Sequence, residues 1–475
     1  MNAQTPALRT RGIPVPRRTS PWVLLGPGIV LLGMSQGSGE IWLLPKLHAE
    51  HGLAFTWVIL YGSLLQVPIL VEAMRTTALT GESPLSVLAR VSKPAATVCL
   101  LLTAFAMIGA AGFILTVGES LWRLAGWPNY TGGPAAPKKL WAIIVALAFG
   151  IPVLLKRTNV QRYMEYVVGA CSVASLGIFL AVLFLRGDVL DRVPVFVAAL
   201  ILPQGLLDIP SLSVQERTTV AVGFTYMGLG GWYCLFYPLW GRHRGVGIAG
   251  APAVEGNGTA PPMAVAGNDA EDAKRIHDWI RSIWFGTTGA IAANGLTVCL
   301  TSLLAFGLLH QRGATIGSNW DIVTQQAAFF EPVFGTLAPT LFMVAVTAFF
   351  LDTWLATYGS LAQLLSETLP HLSQRLAQIG EGRLFRPVFV LLVGLSLSPL
   401  LGSLSPGALL LRWMGVVMFC SMPIIGAMLY YVNYRLLPRI GPEYYMPSRG
   451  AKGVLVATTI IYLVATVVYI AGVMA

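Results

Sequence analysis

One carboxylate stands alone in the first 49 residues of this chain. It is Glu40, at the end of Gly33-Met34-Ser35-Gln36-Gly37-Ser38-Gly39-Glu40, with apolar runs at 22–32 and 41–47 on either side. An acid inside a hydrocarbon-spanning segment is costly and marks a functional position by default. It can ligate a cation or carry a coupling proton, and the oxygens of Ser35 and Gln36 beside it could complete a metal site. A second glycine-rich run, Met227-Gly228-Leu229-Gly230-Gly231, interrupts another apolar segment between 219–226 and 232–240. Breaking a helix frees backbone N–H and C=O groups, which survive in a membrane only where they line a polar cavity. Glycine supplies the backbone freedom and the close approach that a substrate needs. Gly37, Ser38, Gly228 and Gly230 therefore join Ser35, Gln36 and Glu40 as candidate substrate contacts, with Tyr226 and Trp232 flanking the second break. The competing readings are close helix packing by small residues, aromatic packing for Tyr226 and Trp232, and a structural pairing of Glu40 with a backbone group or Arg412.

Asp352, in Phe349-Phe350-Leu351-Asp352-Thr353, is a second candidate coupling group; a structural hydrogen bond is its alternative. Gln66 and Asn294 are cavity or helix-packing amides. Arg412 is expected to snorkel, and Glu119 and Glu165 to be solvated at span ends. The five cysteines, Cys99, Cys171, Cys234, Cys299 and Cys420, fall in apolar segments without a C-x-x-C pair and read as buried free thiols. There is no phosphate-binding Gly-x-x-x-x-Gly-Lys-Ser/Thr loop and no His/Cys cluster with zinc spacing. ATP-driven pumping and enzyme chemistry have no constellation behind them.

These residues must be positioned by membrane helices. Charged residues are 11% and hydrophobic residues 55% of the chain, with a mean hydropathy of +0.69; soluble domains carry roughly 25% charged residues. About 20 apolar residues cross a bilayer as a helix. Eleven such segments can be counted, at roughly 22–46, 53–75, 95–121, 138–155, 163–185, 214–240, 281–309, 331–357, 385–403, 408–436 and 451–474. With the N-terminus in the cytoplasm, 22 of the 31 Lys and Arg fall in inner segments. The net charge of +10 is thus explained by membrane topology rather than by nucleic acid. The expectation is an integral protein of a bacterial inner membrane, with N-terminus inside and C-terminus outside. The first span is expected to be retained, since no short apolar region with a small-residue cleavage site follows the basic N-terminus.

Residues 1–21, rich in Pro and Arg, read as disordered. Residues 22–185 and 214–436 read as two five-helix repeats. An outer connection lies at 186–213, and a Gly/Ala/Pro-rich flexible cytoplasmic linker at 245–270. Residues 437–475 form a loop and an eleventh span. Glu271–Arg281 carries Ile276, Trp279 and Ile280 at helical spacing, the pattern of an amphipathic helix on the inner surface. Asn129-Tyr130-Thr131 is a glycosylation-type triplet of little weight. Broken helices at matching positions of two halves point to a secondary transporter with a mid-membrane site.

At the two breaks the chain resembles the Nramp family of metal transporters, in divergent form. The first span opens with Gly26-Pro27-Gly28 as family members do, and the family's Asp-Pro-Gly-Asn motif falls on Gly37-Ser38-Gly39-Glu40. Thr80-Gly81-Glu82 ends the second span, and the Met-Pro-His motif falls near Gly230-Gly231-Trp232. The resemblance implies a LeuT-like all-α fold, two inverted five-helix repeats plus one extra C-terminal span, and alternating access coupled to H⁺ or Na⁺. It implies transport of a divalent cation with no covalently bound cofactor. The family's aspartate is replaced by Gly37 and its methionine by Gly230. Soft sulfur selects transition metals and oxygen ligands suit harder ions, so the family's Mn²⁺/Fe²⁺ preference does not carry over. Gly37-Ser38-Gly39 also looks like the Gly-Ser-Gly of amino-acid and polyamine permeases, whose backbone N–H groups hold a carboxylate; a small organic substrate is the alternative. A channel or a receptor would leave the paired breaks unexplained.

Overall fold

The computed structural model describes residues 10–17, 23–37, 39–128, 135–155, 160–251, 262–313, 324–327, 330–401 and 407–474. Ser38 of the first break, the Asn129 triplet and residues 252–261 of the linker lie outside the described residues.

The sixteen helices used below run in chain order: α1 Leu25–Ser35, α2 Leu44–His51, α3 Trp57–Thr80, α4 Pro84–Val91, α5 Lys93–Ile108, α6 Ala111–Ala125, α7 Ala135–Leu155 and α8 Val160–Leu185, then α9 Val193–Ile201, α10 Val214–Tyr226, α11 Tyr237–His243, α12 Ala270–Leu308, α13 Ala338–Leu372, α14 Glu381–Leu397, α15 Gly407–Tyr431 and α16 Arg449–Met474. Eight helical stretches among the described residues are long and apolar enough to cross a membrane. The three other segments counted in the sequence have physical reasons to be shorter. Two are broken, and α14 is 17 residues long.

Both breaks lie where the glycines are, and each is narrower than its glycine-rich run. Helix α1 continues through Gly33 to Ser35, and the chain turns extended at Gln36, with ψ 133°. A π-helical turn, Gly39–Leu43, then leads into α2. The second span runs as α10 to Tyr226, opens over 227–230, and resumes as a 3₁₀ turn, Gly231–Leu235, before α11. The resumed limbs α2 and α11 each carry a proline at the start, Pro45 and Pro238. The α10 limb opens with a capping box, Ser213 and Glu216 each satisfying the other's backbone N–H.

The limbs of both breaks pack into the interior, against α3, α12 and α13. Helix α3 is largely buried, whereas α16 is largely exposed at the periphery, resting on α15. The connection at 186–213 contains α9 and a 3₁₀ turn, Leu206–Ser211, tied down by the Trp57 indole donating to the Gln204 carbonyl at 2.7 Å. At its start Arg186 forks Asp188 at 2.8 and 2.6 Å and holds that carboxyl below the usual carboxylate range.

Three expectations need correction. Thr10–Ile13, expected to be disordered, is a strand β1. Met263–Ala266, expected to be flexible linker, is a strand β2 paired with it in parallel. The amphipathic pattern at 271–281 is the first three turns of the 39-residue α12. Its apolar side is covered by protein, since Ile276 and Trp279 are buried. Glu165 is also not solvated: it is buried in an ion pair with Arg244.

Candidate functional site

The first break is closed on itself by Glu40. Its Oε2 accepts the Gly37 N–H at 2.8 Å, so the carboxylate caps the unwound turn. Glu40 is fully buried, and its other oxygen, Oε1, has no hydrogen-bond partner among the described residues. The expected alternative partner, Arg412, lies elsewhere, donating to Thr219 Oγ1 at 3.4 Å.

Three side-chain amides frame the breaks, and the orientation of each is fixed by its partners. Asn294 Nδ2 faces the Tyr226 carbonyl at 3.5 Å, and Gln66 Nε2 donates to the carbonyls of Phe224 and Thr225 at 2.7 and 3.0 Å. Carbonyls only accept, so the NH₂ end of each amide must point there. Gln36 Nε2 donates to Thr297 Oγ1 at 3.1 Å, and that hydroxyl gives its own proton to Ala293 O at 3.2 Å. The consequence is shared. Among the described residues, Gln36 Oε1, Asn294 Oδ1, Gln66 Oε1 and Glu40 Oε1 are buried acceptors without a hydrogen-bond partner. Each such group costs roughly 1–3 kcal/mol when left unpaired. Gln36, Asn294 and Glu40 belong to the interface of the first break with α12; Gln66 Oε1 lies against Gly228 of the second, 2.7 Å from where a Cβ would stand.

A second cluster of oxygens lies on the other side of the first break. The turn at Gln36 takes Gly37 N–H away to Glu40, so Gly33 O loses its helical donor. Gly33 O receives Thr353 Oγ1 at 3.0 Å instead. The same hydroxyl is in contact with Gln36 O, with Phe349 O at 2.8 Å and with Asp352 Oδ1 at 3.2 Å. One hydroxyl proton cannot serve four acceptors. Asp352 is fully buried, and its Oδ2 accepts from Ser172 Oγ at 3.1 Å. Five oxygens thus converge where α13 meets the break: Gly33 O, Gln36 O, Phe349 O, Asp352 Oδ1 and Thr353 Oγ1.

The other sequence candidates divide. Ser35 is buried but returns its proton to Leu31 O and Leu32 O at 2.7 and 3.0 Å within α1; it is not brought toward Glu40. Tyr226 packs on the break, its Cβ 2.8 Å from where Gly39 would carry one, and its hydroxyl donates to Leu411 O at 2.8 Å. Gly230 turns inward onto Thr225, 2.3 Å from a would-be Cβ. Trp232 is buried, its indole N–H without an acceptor. Cys234 directs its thiol to Leu229 O at 2.5 Å. A sulfur remote in sequence, that of Met422, accepts Gly231 N–H at 2.7 Å. Among the described residues no group of three or more His, Cys, Asp or Glu side chains is placed to hold a metal. Thr353, Ser172, Thr297 and Met422 had no local signal, each being a common residue in an apolar helix.

Gly231 makes the second break possible. Its φ is +56°, and a Cβ would meet Met418 O at 2.6 Å. Left-handed backbone costs a non-glycine residue roughly 1–2 kcal/mol, and the carbonyl contact adds to it. Gly231→Ala should lower the midpoint of thermal unfolding in detergent, while Gly289→Ala, whose Cβ would meet nothing within 4 Å, should leave it unchanged or raise it.

Charge pairs cluster near the start of α1 and the end of α11. Arg244 and Glu165 lie over Gly26 at the start of α1, Arg242 grips Glu381 at 2.6 and 2.9 Å, and Arg90 pairs with Glu82.

Solved membrane transporters share this architecture over nearly the whole chain. A manganese transporter of Eremococcus coleocola, in complex with an aromatic bis-isothiourea compound, superposes with a TM-score of 0.61 at 14% identity, covering 99% of this chain and 91% of that one. MhsT in complex with L-phenylalanine gives 0.60 at 13%, covering 96% and 99%. Mhp1, a nucleobase-cation-symport-1 family transporter in a closed conformation, gives 0.53 at 14%, covering 96% and 90%. No family model and no curated protein matches the sequence. The chain has the LeuT-like fold of these transporters; at such identities the likeness is one of fold.

Proposed function

We propose that this protein is a secondary transporter that moves a hard cation by alternating access, with Glu40 as its charged ligand. The observation that carries the reading is the set of buried oxygens at the first break, Glu40 Oε1, Gln36 Oε1 and Asn294 Oδ1, none of which has a hydrogen-bond partner among the described residues. Oxygen-only surroundings suit ions such as Mg²⁺ or Ca²⁺ over those that seek sulfur. The nearby sulfurs of Cys234 and Met422 are engaged with backbone groups. A substrate carboxylate fits less well, because the Gly37 N–H that would hold it is spent on Glu40.

The five oxygens around Thr353 form the coupling site in this reading. Two carbonyls at the break, one in α13, one hydroxyl and one carboxylate match the ligands of Na⁺, and Asp352 can alternatively take a proton. Both sites share residue Gln36, one through its side chain and one through its carbonyl, so filling one fixes the geometry of the other. Eleven crossings follow if the two broken segments and α14 span together with the eight long helices. An odd number puts the termini on opposite sides, the Lys and Arg bias favours the N-terminus inside, and the broken spans become first members of two inverted five-helix halves.

Uptake into liposomes tests the reading. Mg²⁺ or Ca²⁺ uptake should saturate and depend on an imposed Na⁺ or H⁺ gradient, with Mn²⁺ and Cd²⁺ transported at least 10-fold less effectively. Gradient-driven uptake of an amino acid without cation uptake would overturn the assignment. Micromolar Cd²⁺ binding lost in Cys234→Ser would show that a soft ligand serves the site after all.

A further inference from the structure

We propose that residues 10–17 are a cytoplasmic clasp that holds the inner side of the transporter shut and must unzip for it to open. The segment is short, and its outer face is wet: Thr10, Arg11 and Gly12 are exposed, and only Val15 is fully buried. Such a segment adds little apolar burial to the fold. Its distinctive property is what it ties together.

Three ties lead to α12. Strand β1 pairs in parallel with β2, Thr10 opposite Met263 through Ile13 opposite Ala266, and Gly267 N–H closes the ladder on Ile13 O at 3.0 Å. Pro14 ends it, having no N–H to give. Both backbone groups of Val15 are then taken by side chains of the first turns of α12. Val15 N–H donates to Asp272 Oδ1 at 2.7 Å, and Arg275 Nη1 donates to Val15 O at 2.7 Å. Trp279 Nε1 donates to Pro16 O at 3.1 Å. Asp272, Arg275 and Trp279 lie at i, i+3 and i+7, on one face of the helix.

The far edge of the same small sheet is tied to other helices. Ala266 N–H donates to the Tyr445 hydroxyl at 2.7 Å, which itself donates to Leu79 O near the end of α3 at 2.5 Å. Tyr444 donates to Gly267 O, and Arg75 of α3 donates to Tyr445 O. Arg75 also meets Glu72, which accepts Asn433 Nδ2 at 2.8 Å and the Tyr434 hydroxyl at 3.1 Å. The clasp thus holds β2 and the first turns of α12, and β2 in turn carries the ties to α3 and to the segment that follows α15.

The clasp leads along the chain into α1, the helix that ends at the first break. Seven residues, 18–24, separate it from α1, a reach of at most about 25 Å when fully extended. The cytoplasmic end of α1 cannot move farther from α12 and α3 than this tether allows while the clasp is made. Its bonds are hydrogen bonds that water can replace, so it can open and re-form. The ion pair Arg17–Glu271, at 3.0 Å, is exposed and contributes little.

Hydrogen–deuterium exchange on the full chain in detergent tests this without reference to any substrate, so its failure is distinct from failure of the transport reading. Asp272→Ala removes the acceptor for Val15. Exchange at residues 28–35 of α1 should rise about 10-fold, with α7 and α16 unchanged. Arg11→Cys combined with Ala264→Cys, which are opposed in the ladder, should slow α1 exchange below wild type when oxidised and return it to wild type when reduced. Faster exchange at 262–267 with α1 unchanged would show a surface strand that clasps nothing. Faster exchange across all helices would show a role in folding. Either result overturns the proposal.

Discussion

Glu40→Gln should abolish cation transport while leaving the protein folded. Glutamine keeps the size of the side chain, and its oxygen can still accept the Gly37 N–H, so the cap on the break survives. What is lost is the negative charge that balances the cation in a buried place. Uncompensated charge burial costs several kcal/mol, and every 1.4 kcal/mol is tenfold in affinity. Uptake should therefore fall at least 100-fold, with an elution profile and melting midpoint like those of wild type. Equal uptake in the mutant, with the same saturation, would remove Glu40 from the site.

Asp352→Asn should uncouple transport from its driving ion. The asparagine can still accept from Ser172, so α8 and α13 stay joined. The oxygen cluster around Thr353 then loses its only full charge. Cation binding at Glu40, measured by calorimetry, should persist within a few fold, whereas accumulation against a gradient should disappear. Thr353→Ala should have the same signature, by removing a ligand instead of a charge. If either variant accumulates substrate as wild type does, coupling resides elsewhere.

Glu40 and the two breaks were legible in the sequence because each violates the composition around it: an acid or a glycine cluster within an apolar run. The oxygen cluster was not. Gly33 O and Gln36 O carry no residue identity, and Thr353 reaches them across more than 300 positions of chain. Ser35 shows the converse error. Its type fits a ligand, but a serine at the end of a helix bonds its own preceding turn, and here it does. The strand at Thr10–Ile13 was hidden because four residues carry no periodicity and the partner lies some 250 positions away. Glu165 was misjudged because its burial depends on Arg244, which comes from the far side of the second break.

The π-helical turn at Gly39–Leu43 has a bearing on how this chain tolerates insertion and deletion. A π turn holds one more residue than the α turn it replaces, so it acts as a phase shifter between the break and α2. Pro45, four residues after Ile41, has no N–H to give its carbonyl, and Gln326 Nε2 donates to Ile41 O instead at 2.6 Å. Removing one residue from 41–43 would let the turn relax to α and rotate Glu40 by about 100° relative to α2, given 3.6 residues per turn. A second π turn, Val432–Leu436, sets Asn433 and Tyr434 on Glu72 in the same fashion. At both places, lengthening or shortening the chain by a single position would change which side chains face inward while leaving composition and hydropathy almost untouched.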